Sequence, residues 1–157
     1  MLDILWTKTG RIPDMKIHIA SAFVLGLLFA VIGRGLPMLA SKYMPPEYYY
    51  NVQYMDIVST DIKPCRLVEY SIHRKSIITT EATLHRKLVR ISPTQLITEK
   101  ETNISISARE PETIRGSFAL PCELLSGQYV FENVVYFEVD GFEKAVWYRS
   151  NIFEVEK

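Results

Sequence analysis

Arg66-Leu67-Val68-Glu69-Tyr70-Ser71-Ile72-His73-Arg74 alternates with a period of two. Val68, Tyr70 and Ile72 fall on one side of an extended chain, and Leu67, Glu69, Ser71 and His73 on the other. That pattern predicts a strand in a sheet with one buried face.

The same grammar continues on both sides of it. Asn51–Ser59 reads as a first strand with Val52, Tyr54 and Ile57 inward, and Asp61–Pro64 as a turn. Ile78–Val89 is the third strand, ended by Ser92-Pro93. Gln95–Thr98 reads as a short edge strand, and Asn103–Ala108 as a separate one. A turn at Glu110-Pro111 precedes a strand over Thr113–Leu120. Tyr129–Val139 and Ala145–Val155 close the series, joined through Asp140-Gly141, a strong hairpin signal. Seven or eight strands over residues 51–157 predict a mainly β fold. An antiparallel sandwich is expected, with a small barrel as the alternative.

Upstream the grammar changes. Ile17–Gly33 is an apolar run, followed by Arg34, Gly35 and the apolar patch 36–40. A membrane helix needs about 20 apolar residues, so 17–40 is long enough if Arg34 snorkels to the headgroups. Pro37 suits the helix end. Trp6, Arg34 and Tyr43 are the candidate interface residues, and Tyr48-Tyr49-Tyr50 is either interfacial or the beginning of a strand. The expected order is a tail at 1–16, a transmembrane signal-anchor at 17–40, a linker at 41–50 and the β domain at 51–157. A cleaved signal peptide fits less well, because Met38 is large at the −3 position before Ala40. A buried core helix is the third reading. Lys8, Arg11 and Lys16 before the run outnumber Arg34 and Lys42 after it. That bias places the N-terminus in the cytoplasm and the domain in the periplasm or outside the cell.

Net charge is zero but unevenly spread: residues 1–46 carry +3 and residues 47–157 carry −3. No concentrated basic face of the kind nucleic acid requires is evident.

Leu124-Leu125-Ser126-Gly127-Gln128-Tyr129 resembles the Leu-x-x-Gly-x-Tyr stretch that opens the penultimate strand of immunoglobulin-like and fibronectin type III-like sandwiches. The resemblance implies a tyrosine corner, with Leu124 and Gly127 shaping the turn and the Tyr129 hydroxyl bonding to upstream backbone. It covers residues 50–157 as a strand pattern. The chain departs from antibody-type domains: no tryptophan lies in the third strand, Trp147 lies in the last, and Cys122 precedes the tyrosine. In such a sandwich Cys65 and Cys122 each precede a strand at the same end of the domain, so a structural disulfide is expected if the domain is exported.

His73-Arg74-Lys75 and His85-Arg86-Lys87 repeat a tripeptide. A hairpin would separate the two histidines, so no metal site is expected. Arg74, Lys75, Arg86 and Lys87 read as solvated strand ends that could contact an anionic surface or a partner. Asn103-Ile104-Ser105 is a lone glycosylation sequon. No glycine-rich phosphate loop or Ser-His-Asp order is present, so neither catalysis nor a cofactor is expected. The sequence therefore predicts a non-enzymatic structural or interaction subunit of an envelope-associated complex. Its partners are the lipid bilayer and unidentified proteins, with homo-oligomerisation through the helix at Gly26 and Gly33. The alternatives are a carbohydrate or anionic-polymer binding module and a small virion or mobile-element membrane protein.

Overall fold

The computed structural model describes residues 15–156, with side chains from Phe23 onward except at positions 31 and 34. The chain divides into two units, Met1–Ala40 and Ser41–Lys157.

Helix α1 spans Met15–Tyr43. Its stretch Phe23–Tyr43 is long and apolar enough to cross a membrane, about 31 Å at 1.5 Å per residue. Phe23, Phe29 and Leu36 are exposed along it. Pro37 lies inside the helix and not at its end. Apolar helices accommodate proline by local adjustment of the freed backbone groups.

The second unit is built from two antiparallel sheets. A single turn, α2 (Pro46–Tyr49), leads into β1 (Tyr50–Ile57). With β2 (Leu67–Ser76) and β5 (Arg109–Ala119) it forms a sheet of order β1-β2-β5. The second sheet has the order β4-β3-β6-β7, from β3 (Thr80–Arg90), β4 (Gln95–Ile106), β6 (Gly127–Val139) and β7 (Phe142–Arg149). Strand β8 (Phe153–Val155) pairs with β6 beyond the end of β7. The β6–β7 hairpin turns at Asp140 (φ 51°) and Gly141 (φ 82°), the two left-handed residues that a tight hairpin needs.

Several strand limits differ from the expected ones. Gln95–Thr98 and Asn103–Ala108 belong to one strand. The charged stretch between them stays extended because β4 is an edge, solvated on its free side. Glu110-Pro111 lies within β5 and not in a turn; β5 is also an edge, where a missing N–H is tolerated. The last strand breaks at Ser150–Ile152, where the chain leaves the second sheet to bond β1. There Asn151 N donates to Met55 O at 3.1 Å, and Ile57 N donates to Asn151 Oδ1 at 2.7 Å. A register shift between Val52 and Tyr54 turns Met55 inward and Tyr54 outward. Tyr49 and Tyr50 are buried in the core, while Tyr48 is exposed.

The core has two apolar lobes. Val68, Leu88, Tyr129, Phe131 and Phe153 centre one. Tyr50, Ala82, Ile106, Val135, Phe137 and Val146 make the other. Tyr148 packs against both.

Candidate functional site

Cys65 and Cys122 are bridged, with Cα atoms 4.3 Å apart. The bridge extends the β2–β5 ladder, since Leu120 N donates to Arg66 O and Cys65 N to Pro121 O. It therefore pins two neighbours of the first sheet, just before the chain crosses to β6. Next along the chain, the Tyr129 hydroxyl donates to Leu125 O at 2.7 Å, while its ring is fully buried. Leu124 is buried beside it, and Gly127 takes φ 151° against the Arg90 guanidinium.

The four basic residues do not form one patch. Arg74 donates from Nε and Nη2 to Glu112 Oε1, at 3.2 and 3.1 Å. The Arg74 hydrogen bond holds the Glu112 carboxyl below the usual carboxylate range. Lys75 is exposed on β2. Lys87 pairs with Glu99 at 3.4 Å. Arg86 is not a solvated strand end but is buried in the core at 8 % exposure. Its Nε donates to Asn133 Oδ1 at 2.8 Å, and its guanidinium lies 4.6 Å from the centre of the Tyr70 ring. The phase of the strand explains this: Arg86 shares its side of β3 with Ala82, Leu84 and Leu88.

Arg86, Asn133 and Tyr148 stand opposite one another across β3, β6 and β7, forming a polar row between the two lobes. Asn133 is fully buried, and its Nδ2 donates to Met55 Sδ at 3.3 Å. Burial, and then neighbouring Tyr50, push the Tyr148 hydroxyl's pKa up, against the pull of the Arg86 cation. Gly116 leaves room for Tyr70, whose hydroxyl would lie 2.5 Å from a Cβ there.

The outer face of the second sheet is organised in rows, read from register across β4, β3, β6 and β7. Ser105 stands opposite Glu81, and Glu138 opposite Glu143. Asn103, Thr83, Tyr136 and Ala145 form the next row. Glu101, His85, Val134 and Trp147 follow, and then Glu99, Lys87, Glu132 and Arg149. The last of these is ion-paired throughout, with Arg149 Nη2 2.7 Å from Glu132 Oε1. Trp147 is 67 % exposed, while Val134 beside it is only 3 % exposed. The His85 ring meets Tyr136 edge-on at 5.1 Å. A shallow groove of about 460 Å³ opens over Tyr136, His85, Thr83, Glu101, Glu138 and Glu143. Two residues of the second tripeptide, His85 and Lys87, lie on this face. Its signal was the apolar Trp147 and Val134 in the outward phase of their strands.

Of the proposed interface residues, Tyr43 is exposed, while Trp6 and the Arg34 side chain lie outside the described set. Among the described residues, no group of three or more His, Cys, Asp or Glu could hold a metal ion.

No family model matches the chain. No curated protein matches it. Among solved structures it is similar to the C-terminal domain of wzt, at 14 % identity over 75 % of this chain and 85 % of that one, with a TM-score of 0.46. It is also similar to the sporulation control protein Spo0M from Bacillus subtilis, at 15 % identity, TM-score 0.43, over 69 % of this chain and 50 % of that one. This chain thus spans half the length of Spo0M. A glycosyl hydrolase family 2 member from Bacteroides cellulosilyticus matches at 14 % identity, TM-score 0.37, over 64 % of this chain and 15 % of that one. These likenesses accompany a mainly β, sandwich-like fold and extend no further.

Proposed function

We propose that this chain is a membrane-anchored, exported, immunoglobulin-like sandwich that acts by protein–protein contact in an envelope-associated complex. The observation that carries this reading is one chain holding both an apolar helix of spanning length and a bridged β domain. Disulfides persist in oxidising compartments, which supports export. The Tyr129–Leu125 hydrogen bond supports the immunoglobulin-like assignment. Relative to the antibody constant arrangement, the fourth strand lies beside the third and not beside the fifth. That placement favours the fibronectin type III-like side of the resemblance. Anchoring raises the domain's effective concentration at the membrane, so weak contacts suffice.

Two measurements test this. Maleimide-PEG labelling of the cysteines in intact cells should require reductant and no membrane disruption; labelling without reductant, only after the membrane is opened, would place the domain in the cytosol. Gentle crosslinking in native membranes should capture a protein partner, and a purely monomeric outcome would end the interaction reading.

A second reading is carbohydrate binding, favoured by exposed Trp147 beside Tyr136 and the hydrogen-bonding side chains Thr83 and Asn103. Flat aromatic rings ringed by a few polar groups suit sugar faces. The full chain in nanodiscs should then bind envelope polysaccharide, and Trp147→Ala should abolish that binding. Retention by the variant would sink the reading.

A further inference from the structure

We infer that the free edge of β4 is a strand-addition site for an extended segment of a different protein, with basic, acidic and basic side chains at three successive positions. This rests on the protein–protein reading above and names the surface and chemistry of the contact.

The sandwich manages its edges unequally. Ser150 and Asn151 occupy the outer edge of β1. Strand β7 packs beside β1 and α2. Strand β5 carries Pro111, which lacks an N–H, opposite a register shift between Arg74 and Ser76. Strand β4 runs for 12 residues without proline or glycine and, among the described residues, pairs only with β3. Its free backbone groups are those a partner strand would use, and such edges recruit extended peptides.

Charge at the middle of β4 selects the occupant. Glu99 and Glu101 face outward, since they stand opposite Lys87 and His85 and approach them within 3.4 and 3.6 Å. Lys100 stands opposite Arg86 on the other side of the strand and is exposed at the rim. Cross-strand neighbours of opposite charge stabilise pairing, and like charges oppose it. An incoming strand centred on Lys100 therefore matches with a basic residue beside Glu99, an acidic one beside Lys100 and a basic one beside Glu101. The pattern is palindromic, so it permits either strand direction. A second copy of this chain is disfavoured in that register. Antiparallel β4 strands centred on Lys100 would set Glu99 against Glu101 and Lys100 against Lys100.

The test uses the full chain in lipid nanodiscs and two fluorescent dodecapeptides of alternating threonine and valine. One has Lys-Glu-Lys at its centre, and the other has Glu-Lys-Glu. The first should bind about tenfold tighter, the size that a few cross-strand charge pairs supply together. Glu99→Lys, Lys100→Glu and Glu101→Lys in combination should reverse the ranking. Bound peptide should slow amide exchange in residues 95–106 and leave 109–119 unchanged. Equal binding by the two peptides, absence of binding, a ranking that survives charge reversal, or protection at another edge would each overturn the site. A partner captured by crosslinking together with failure of both peptides would remove this edge and leave the interaction reading standing.

Discussion

The inner and outer faces of the second sheet contrast most at its middle. Inside, Arg86, Asn133 and Tyr148 carry polar groups into the core. Outside, one residue along each strand, the rings of His85 and Trp147 stand on either side of Val134, which is itself buried although it lies in the outward phase. Polarity is thus inverted at the place where simple alternation would be expected to hold most firmly. The difference teaches that phase alone does not decide which residue types a face carries. A polar group stays inside where rigid neighbours supply hydrogen bonds and ring contacts, and an apolar group stays outside where lateral neighbours shield much of it.

The largest break in this contrast is Arg86→Ala. It leaves fully buried Asn133 without its 2.8 Å donor and opens space beneath Tyr70. Urea unfolding of the detergent-solubilised chain should show a loss of about 3–4 kcal/mol. A loss below about 1 kcal/mol would mean that water replaces the arginine, and that the inner row is not a structural element.

Gly116→Ala should act on the same row from the first sheet. Its new Cβ displaces the Tyr70 ring from the arginine, at about 1–2 kcal/mol. Tyr70→Phe in the same background should restore little of the loss, because the ring carbon Cζ would lie 2.6 Å from the new Cβ, almost as close as the hydroxyl at 2.5 Å. Full rescue would show that the hydroxyl alone carries the strain.

Glu112→Gln tests the ion pair that continues the polar cluster through Arg74, whose guanidinium lies 5.8 Å from the centre of the Tyr50 ring. Because Arg74 lowers the folded-state pKa of Glu112, the pair's contribution is fully present above the ordinary carboxylate pKa and is lost as pH falls through the lower folded value. Near neutral pH the variant should lose about 1 kcal/mol. It should lack part of the parent's decline in acid; identical acid profiles would show that the pair contributes nothing.

Trp147→Ala should change stability least, within about 0.5 kcal/mol, because the ring is mostly solvated. A larger loss would show that the outer row also supports the fold.

Much of the sandwich was legible because its strands keep period two and its hairpin carries Asp140-Gly141. What escaped has identifiable physics. Glu99-Lys100-Glu101-Thr102 looked like a gap because both sides of an edge strand can be polar. Pro111 looked like a turn because a central strand would reject it, yet β5 is peripheral. Tyr54 and Met55 exchanged places because a register shift carries no local sequence signature. Arg86 was in the apolar phase all along, with Ala82, Leu84 and Leu88. A strand arginine is ordinarily read as solvated, and its partner Asn133 lies 47 positions away. The outer face was hidden for the complementary reason: an apolar residue in the outward phase, such as Trp147, carries no local mark that sets it apart from a core residue.

The bridge between Cys65 and Cys122 also limits how far the domain can be drawn out under load. If tension acts between Ser41 and Glu156, the segment separating the cysteines cannot pay out while the bond lasts. Fully extended chain spans at most about 3.5 Å per residue, so after rupture of the fold the two ends can separate by about 200 Å at most, against about 400 Å without the bond. A protein tethered at one end to a membrane and at the other to a load would thus carry its own stop.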